Sequence, residues 1–191
     1  MKLNHLASLI ATSVLLAASA PALAQFDGQV RFTGKISDIT CNVNGQAPGM
    51  GNILEVELGS YVKGFFTDTV TKTDAKPFSI KVGGDGTCPK DTSVSIAFDT
   101  TSQNIDGPSG TLNLAGLTGS ARGVRIQINN VTASGDEKIN LSRGETDPQK
   151  AVIAADGGTA ELKFTAHYVR GEGSVTTGPA VSIIPFMVVY N

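Results

Sequence analysis

Few side chains in this chain of 191 residues belong to the types that usually carry out catalysis or bind metals. There are two histidines, His5 and His167, and two cysteines, Cys41 and Cys88. We expect His5 to be removed with an export signal, and a single remaining histidine cannot build a multi-histidine copper or zinc site. His167 lies on the polar parity of a predicted strand, where we expect a surface residue. A catalytic triad would have to use this histidine, and no GxSxG motif precedes a helix to supply the nucleophile.

The carboxylates and the glycine-rich run do not complete a ligand site either. Asp85 and the pair Asp136 and Glu137 lie in glycine-containing turns, but they lack the ligand spacing of a calcium loop. The run from Gly83 to Gly86 lacks the GK[ST] sequence of a phosphate-binding loop, and we interpret it as a turn that brings Cys88 towards Cys41. The sequence therefore predicts a protein that is not an enzyme and that needs no metal or other cofactor.

The first 24 residues have the features of a cleaved export signal. Lys2 gives a positive start, an apolar run extends from Leu6 to Ala20, and the sequence ALA at 22–24 has the small residues that signal peptidase accepts. The apolar run is short for a membrane span. We therefore expect residues 1–24 to be removed, leaving 167 residues that suit one domain with a sizeable core.

Export and charge restrict the partners and the redox state. Without Lys2 the chain has 14 basic and 17 acidic residues, and no basic patch occurs, so we expect no nucleic acid among its partners. An even number of cysteines in an exported protein indicates a disulfide. We therefore predict that Cys41 and Cys88 are joined.

Alternation of apolar and polar residues predicts strands throughout the mature chain. The stretch from Val30 to Ile36 alternates in this way, and no segment has a sustained helical period. Short strands separated by turn-forming residues predict an antiparallel β-sandwich of the immunoglobulin type. The further predicted strands are 53–58, 78–82, 94–98, 112–114, 124–128, 139–141, 162–168 and 180–191, with a turn at 129–138.

The segment from Ala180 to Asn191 is apolar on both faces of its predicted strand. Ile184, Phe186 and Val188 share one parity, and the other parity is also largely apolar. Chain ends are usually polar, whereas a strand that is covered on both sides has this pattern. We therefore expect either the domain's own sheet or another chain to cover this segment.

Several short motifs occur along the mature chain in a defined order. They are GQVRFTGKI at 28–36 followed by Cys41, VELG at 56–59, FSIKV at 78–82 leading into Cys88, GVRIQI at 123–128, FTAHY at 164–168, and Gly178 with the penultimate Tyr190. Each motif by itself is weak evidence for membership of a family. Their order over the whole mature chain resembles that of the structural pilins of chaperone–usher fimbriae, in particular the major subunits of the type 1-like fimbriae.

This resemblance implies an all-β fold, an incomplete immunoglobulin-like β-sandwich that lacks its last strand and is completed by donor-strand exchange. In the family, a periplasmic chaperone first fills the open groove with one of its own strands. At the outer-membrane usher, the N-terminal extension of the next subunit then replaces the chaperone strand. The implied partners are therefore the chaperone, the usher and neighbouring copies of this pilin.

The resemblance also implies roles for particular residues. Residues 25–36 would form the donor-strand extension running into the first strand, and residues 37–191 the incomplete domain. The donor residues that enter the neighbouring groove would be Phe26, Gly28, Val30 and Phe32. The residues at the groove edge, which the chaperone contacts, would be Gly178, Ile184, Phe186, Val188 and Tyr190.

The implied function is that of a structural subunit of a surface filament used in adhesion, exported through the periplasm to the cell surface. Two alternatives stay open at this point. One is a minor tip-adaptor or anchor subunit of the same system, and the other is a self-contained sugar-binding adhesin. The absence of tryptophan, which often stacks on sugars, disfavours the adhesin, and the mature chain has no room for an additional lectin domain. Pro185 departs from an ideal strand, and we expect it to occupy a locally unpaired position.

Overall fold

The computed structural model describes residues 29–34, 36, 39–86, 88–116, 118–154 and 158–191. The chain divides into two compact units, Met1–Ser37 and Asp38–Asn191. The predicted signal segment, Phe26 and Gly28 lie outside the described residues.

The described residues of the first unit, 29–34 and 36, are in neither helix nor strand. The strand predicted from Val30 to Ile36 is therefore wrong for these positions. A strand is stabilised by the ladder to its neighbours, and an alternating sequence does not by itself provide a neighbour.

The second unit is all-β in its described residues, apart from one 3₁₀ helix, Lys63–Phe65. All its strand pairs are antiparallel. The strands are β1 (Lys76–Gly83), β2 (Ser93–Phe98), β3 (Ile105–Asp106), β4 (Thr111–Asn113), β5 (Val124–Thr132), β6 (Gly135–Lys138), β7 (Lys150–Val152), β8 (Thr159–Arg170) and β9 (Phe186–Tyr190).

These strands form two sheets. The larger sheet has the order β1-β8-β5-β4-β3, with β6 paired to the end of β5, and the smaller sheet has the order β7-β2-β9. Side chains of one parity in β8 face the core, and Phe164 among them is 1% exposed. The ring of Phe164 stacks on Phe78 of its own sheet at 5.3 Å and meets Phe98 of the smaller sheet edge-on at 5.8 Å. The two sheets therefore enclose one core between them, which confirms the predicted sandwich.

The turn predicted at 129–138 is wrong. β5 continues to Thr132 and β6 begins at Gly135, so the connection is only a tight hairpin. Asparagine favours turns because its side chain can hydrogen-bond to nearby backbone, but here Asn129 donates to the Thr165 hydroxyl at 3.1 Å. This tertiary partner satisfies the buried amide within a strand.

The strand predicted at 139–141 is also absent from the structure. Ile139 and Leu141 are instead 2% and 1% exposed in the segment that follows β6. Their alternation therefore reflects burial in the core without a strand ladder.

Cys41 and Cys88 form a disulfide, as the sequence predicts, with Cα atoms 5.1 Å apart. Both cysteines belong to the core, at 0% and 4% exposure. Gly83, Gly84 and Gly86 have φ values of 96°, 87° and 75°, which side chains rarely adopt. Gly83 ends β1, and Gly84 and Gly86 lie in the predicted turn that leads towards Cys88.

We expect the double variant C41A/C88A to lose about 4 kcal/mol of free energy of unfolding, because the disulfide closes a loop of some 47 residues in the unfolded chain. Urea unfolding measures the loss, and reduced wild-type protein is the control that should match the variant. A thiol titration of the denatured, unreduced wild type should detect no free thiol. Two titratable thiols per chain would contradict the assignment.

Candidate functional site

β9 lies at one edge of the smaller sheet and pairs only with β2 among the described strands. The amide of Asp99 donates to the Pro185 carbonyl at 2.9 Å, and the amide of Asn191 donates to the Ser93 carbonyl at 2.8 Å. Both contacts fall in the register of the β2–β9 ladder. The odd-numbered residues of this segment therefore direct their backbone groups towards β2.

The even-numbered residues have the opposite orientation. In an antiparallel pair, residues that exchange hydrogen bonds alternate with residues whose N–H and C=O groups point away from the partner. The backbone groups of Ile184, Phe186 and Val188 therefore point to the open side of β9, where no described strand is paired. This open edge can accept one further strand.

The side chains of the same segment divide by parity. Ile184, Phe186 and Val188 are half-buried and pack against the core. On the opposite face, Ile183 and Met187 are 57% and 67% exposed. The inward residues are thus the same ones whose backbone groups are available at the open edge.

Pro185 does not interrupt the open edge. Its nitrogen belongs to the parity that faces β2, so the missing proton removes a hydrogen bond to β2 and none from the open side. Its carbonyl does accept a bond from Asp99, so the expectation of an unpaired position holds only for the nitrogen. The ordered strand begins at the next residue, Phe186, and the terminal strand is therefore shorter than the predicted 180–191.

A second segment, residues 53–58, packs on the same core and, unlike β9, has no ladder. Leu54 and Val56 are half-buried against the core and Leu58 is 7% exposed, whereas the residues between them are exposed. The segment alternates as predicted, but it is assigned to no strand. The motifs at the two chain ends do not include this segment, and its inward apolar parity is the signal in the sequence that could have placed it at the site.

Contacts at two ends place segment 53–58 beside the C-terminal segment. At one end, the Cys41 amide donates to the Tyr190 hydroxyl at 3.2 Å, and the Asn52 side chain donates to the Val43 carbonyl at 2.6 Å. Asn52 directly precedes segment 53–58, so this segment begins near the end of the C-terminal strand.

At the other end, the rings of Tyr61 and Tyr168 are in edge contact at 6.2 Å. The Tyr168 hydroxyl donates to the Ala180 carbonyl at 2.9 Å, and burial raises the pKa of Tyr168, which keeps this donor protonated. The two segments therefore run in opposite directions along the same side of the core. We call the space that they border the groove, with segments 53–58 and 184–190 as its walls.

Gly178 lies before the second wall and contacts the protein itself. A Cβ atom at this position would come within 2.7 Å of the Ala121 amide nitrogen, and the Ala121 amide donates to the Pro179 carbonyl at 2.9 Å. The lack of a side chain at Gly178 therefore allows the chain to pass close to residues 119–121 before it enters the wall.

The predicted donor residues are described only in part. Val30 and Phe32 are 79% and 91% exposed, and Phe26 and Gly28 lie outside the described residues.

Among the residues that the structure describes, no group of histidine, cysteine and carboxylate side chains could hold a metal ion. The described part of the chain also contains no helix with the length and apolar character needed to cross a membrane.

The expectation that His167 is a surface residue is wrong. His167 is 4% exposed, and neither ring nitrogen has a hydrogen-bond partner within the described part of the chain. The outer face of β8 is covered here because Lys72 pairs with Val169 and because Asp136 of β6 accepts from the Thr165 hydroxyl at 2.5 Å. The alternation of β8 correctly predicted that His167 is on the outer face of the strand. It could not predict that neighbouring segments bury this face.

A sandwich with an apolar strand edge that is open can accept an extended strand from another chain. The description "Fimbrial protein" belongs to the sequence family that matches residues 30–191. Long polar fimbria protein A of Salmonella typhimurium is 30% identical over 93% of this chain and 91% of its own length. The type-1 fimbrial protein subunit of Serratia marcescens is 31% identical over 95% of this chain and 96% of its own length.

The fold is also found in a solved structure. The P pilus rod subunit PapA superposes with a TM-score of 0.53 at 19% identity, covering 79% of this chain and 99% of that one. The chain belongs to the fimbrial protein family, and it is a structural subunit of a pilus at the cell surface that assembles with other pilin subunits. Its homologues are structural subunits.

Burial lowers the pKa of His167, the nearby Lys72 lowers it further, and Asp136 opposes this effect. The unfolded chain then binds a proton as the pH falls below about 6.5, while the folded chain still has a neutral imidazole. We expect the free energy of unfolding to decrease from pH 6.5 down to the lowered pKa, and to decrease less in H167L. Urea unfolding at pH 7.5 and pH 5 tests this difference.

Glu145 also affects the pH dependence. Burial raises its pKa, so its contribution to the free energy of unfolding changes with pH in the opposite direction to that of His167. Because wild type and H167L share Glu145, the comparison between them removes its contribution. If wild type and H167L respond to pH in the same way, the buried imidazole does not contribute to the pH dependence.

Proposed function

We propose that this pilin polymerises by donor-strand exchange, in which the N-terminal segment of one subunit fills the groove of the next. The observation that carries the proposal is the pair of walls whose inward side chains pack against one core: wall 53–58 has no ladder, and wall 184–190 has a ladder on one side only. Exposed apolar edges aggregate unless another strand covers them. A head-to-tail contact that does not close on itself produces a filament.

The N-terminal segment has the chemistry that the groove requires. Val30 and Phe32 share one parity and are exposed in the first unit, and Phe26 and Gly28 precede them on the same parity. Burial of each large apolar side chain contributes roughly 1.5–3 kcal/mol. The backbone groups of the open edge add about 1 kcal/mol, net, for each hydrogen bond formed.

Assembly then needs an earlier partner, since the groove is open before the next subunit arrives. We assign this role to a periplasmic chaperone that lends a strand to β9, and the exchange to an outer-membrane usher. The sequence of residues 1–24 supports export through the periplasm after removal of a signal peptide.

Abundance in sheared fimbriae separates a major subunit from a tip or anchor subunit, because a major subunit dominates the preparation.

Replacement of Phe186 by aspartate should prevent chaperone binding. Phe186 is half-buried, and its ring lies 6.5 Å from that of Phe98 in the core. A carboxylate at this position would be covered by the incoming strand without a partner, at a cost of several kcal/mol. We expect F186D to be degraded in the periplasm, as measured by immunoblotting of periplasmic extracts.

The matched control is M187D, because Met187 is the next residue and is 67% exposed on the outer face. This variant should accumulate with the chaperone. Normal accumulation of F186D would refute the assignment of the inward parity to the groove.

Replacement of Gly28 by leucine should stop insertion into the preceding subunit. The glycine has no side chain and would meet a shallow part of the groove, where leucine clashes. The G28L subunit should still bind the chaperone and cap a growing fibre, but it should not extend one. The ladder of SDS-resistant polymers in unheated samples measures this property, and Q29L is the control on the opposite parity. A wild-type ladder from G28L as the only subunit would show that the donor register is wrong.

A further inference from the structure

The two outer rims of the groove differ in charge. Glu55 and Glu57 lie on the exposed parity of wall 53–58, and neither is in an ion pair within the described part of the chain. The exposed parity of the other wall carries the uncharged side chains of Met187 and Val189. A strand seated in the groove would therefore have two carboxylates along one side and an apolar rim along the other.

The predicted donor segment carries one described cation on its outward parity. Arg31 lies between Val30 and Phe32, so its side chain points away from the groove when these two enter it. Arg31 is exposed, and it has no ion pair with any described residue. Its outward neighbours Gln29 and Thr33 are uncharged.

We propose that Arg31 of one subunit pairs with Glu57 of the next. This inference rests on the proposed donor-strand exchange. The partner is a second copy of this chain, because the exposed cation on the donor segment complements the exposed carboxylates on the rim.

The direction of the strands selects Glu57 over Glu55. Antiparallel pairing with β9 is slightly more stable per residue than parallel pairing. Wall 53–58 runs opposite to β9, so a donor antiparallel to β9 runs in the same direction as this wall. Arg31 lies late in the donor segment and therefore reaches the later carboxylate of the wall.

The charge pattern disfavours some of the other registers. A shift by one residue turns the apolar parity outward, which hydrophobic burial already opposes. A shift by two residues in one direction keeps the apolar parity inward but puts the uncharged Gln29 beside Glu57. The opposite shift moves Arg31 to Glu55. A shift by four residues puts Asp27 beside Glu57 in one direction, where two like charges across adjacent strands repel, and Lys35 there in the other.

The contribution of such a pair to assembly is modest. An exposed ion pair changes an equilibrium by roughly two- to five-fold, and a charge at the rim of an interface acts mainly on the association rate. Polymer formation should therefore slow without being abolished when the pair is broken.

The test is a charge exchange in the full-length chain, assembled in cells and followed by pulse-labelling and the SDS-resistant ladder. We expect R31E to form polymer about five-fold more slowly, because three carboxylates then share the rim. The double variant R31E/E57K should recover most of the rate. The control K90E makes the same charge change at an exposed loop residue and should assemble like wild type.

A direct measurement of proximity does not depend on the rate. In R31C/E57C, a disulfide between adjacent subunits should link the filament under non-reducing conditions, whereas R31C/K90C should give no such link. A wild-type rate for R31E, a lack of rescue by E57K, or an absent link in R31C/E57C would each overturn the pair. None of these results would contradict donor-strand exchange itself. Only the absence of SDS-resistant polymers from the wild-type chain would contradict the proposed exchange.

Discussion

The β2–β9 ladder is the interaction on which the open site depends, because it uses only one side of β9. In an antiparallel strand, both the backbone hydrogen bonds and the side chains alternate with a period of two. The residues whose backbone groups are left over are therefore the same ones whose side chains face the core. One strand that binds at this edge can satisfy the backbone and cover the apolar surface at the same time.

The second wall makes this edge a groove. Segment 53–58 presents Leu54, Val56 and Leu58 to the core without a ladder of its own, and its ends are tied near Cys41 and Tyr168. The disulfide at Cys41 and the aromatic contacts around Phe164 stabilise the rest of the sandwich. These contacts hold the sandwich in a defined shape while the edge of β9 stays open among the described strands.

Three residues show how packing assigns roles that residue type does not. Gly178 allows one backbone segment to pass close to another, and Pro185 loses a hydrogen bond that the open edge does not use. His167 belongs to the outward parity of β8 and is nevertheless buried by neighbouring segments. In each case the neighbours in space, which are distant in the sequence, determine the consequence.

The sequence by itself determined the strand-rich class, the disulfide and the inward parity of the C-terminal strand, because these depend on local alternation, cysteine count and short motifs. It could not determine that β5 continues through Asn129, since the amide is satisfied by Thr165 of another strand. Only the tertiary structure decided that segment 53–58 stays unpaired and borders the groove. Whether an alternating segment obtains a ladder depends on which segments the fold brings beside it, and that is a property of the whole packed chain.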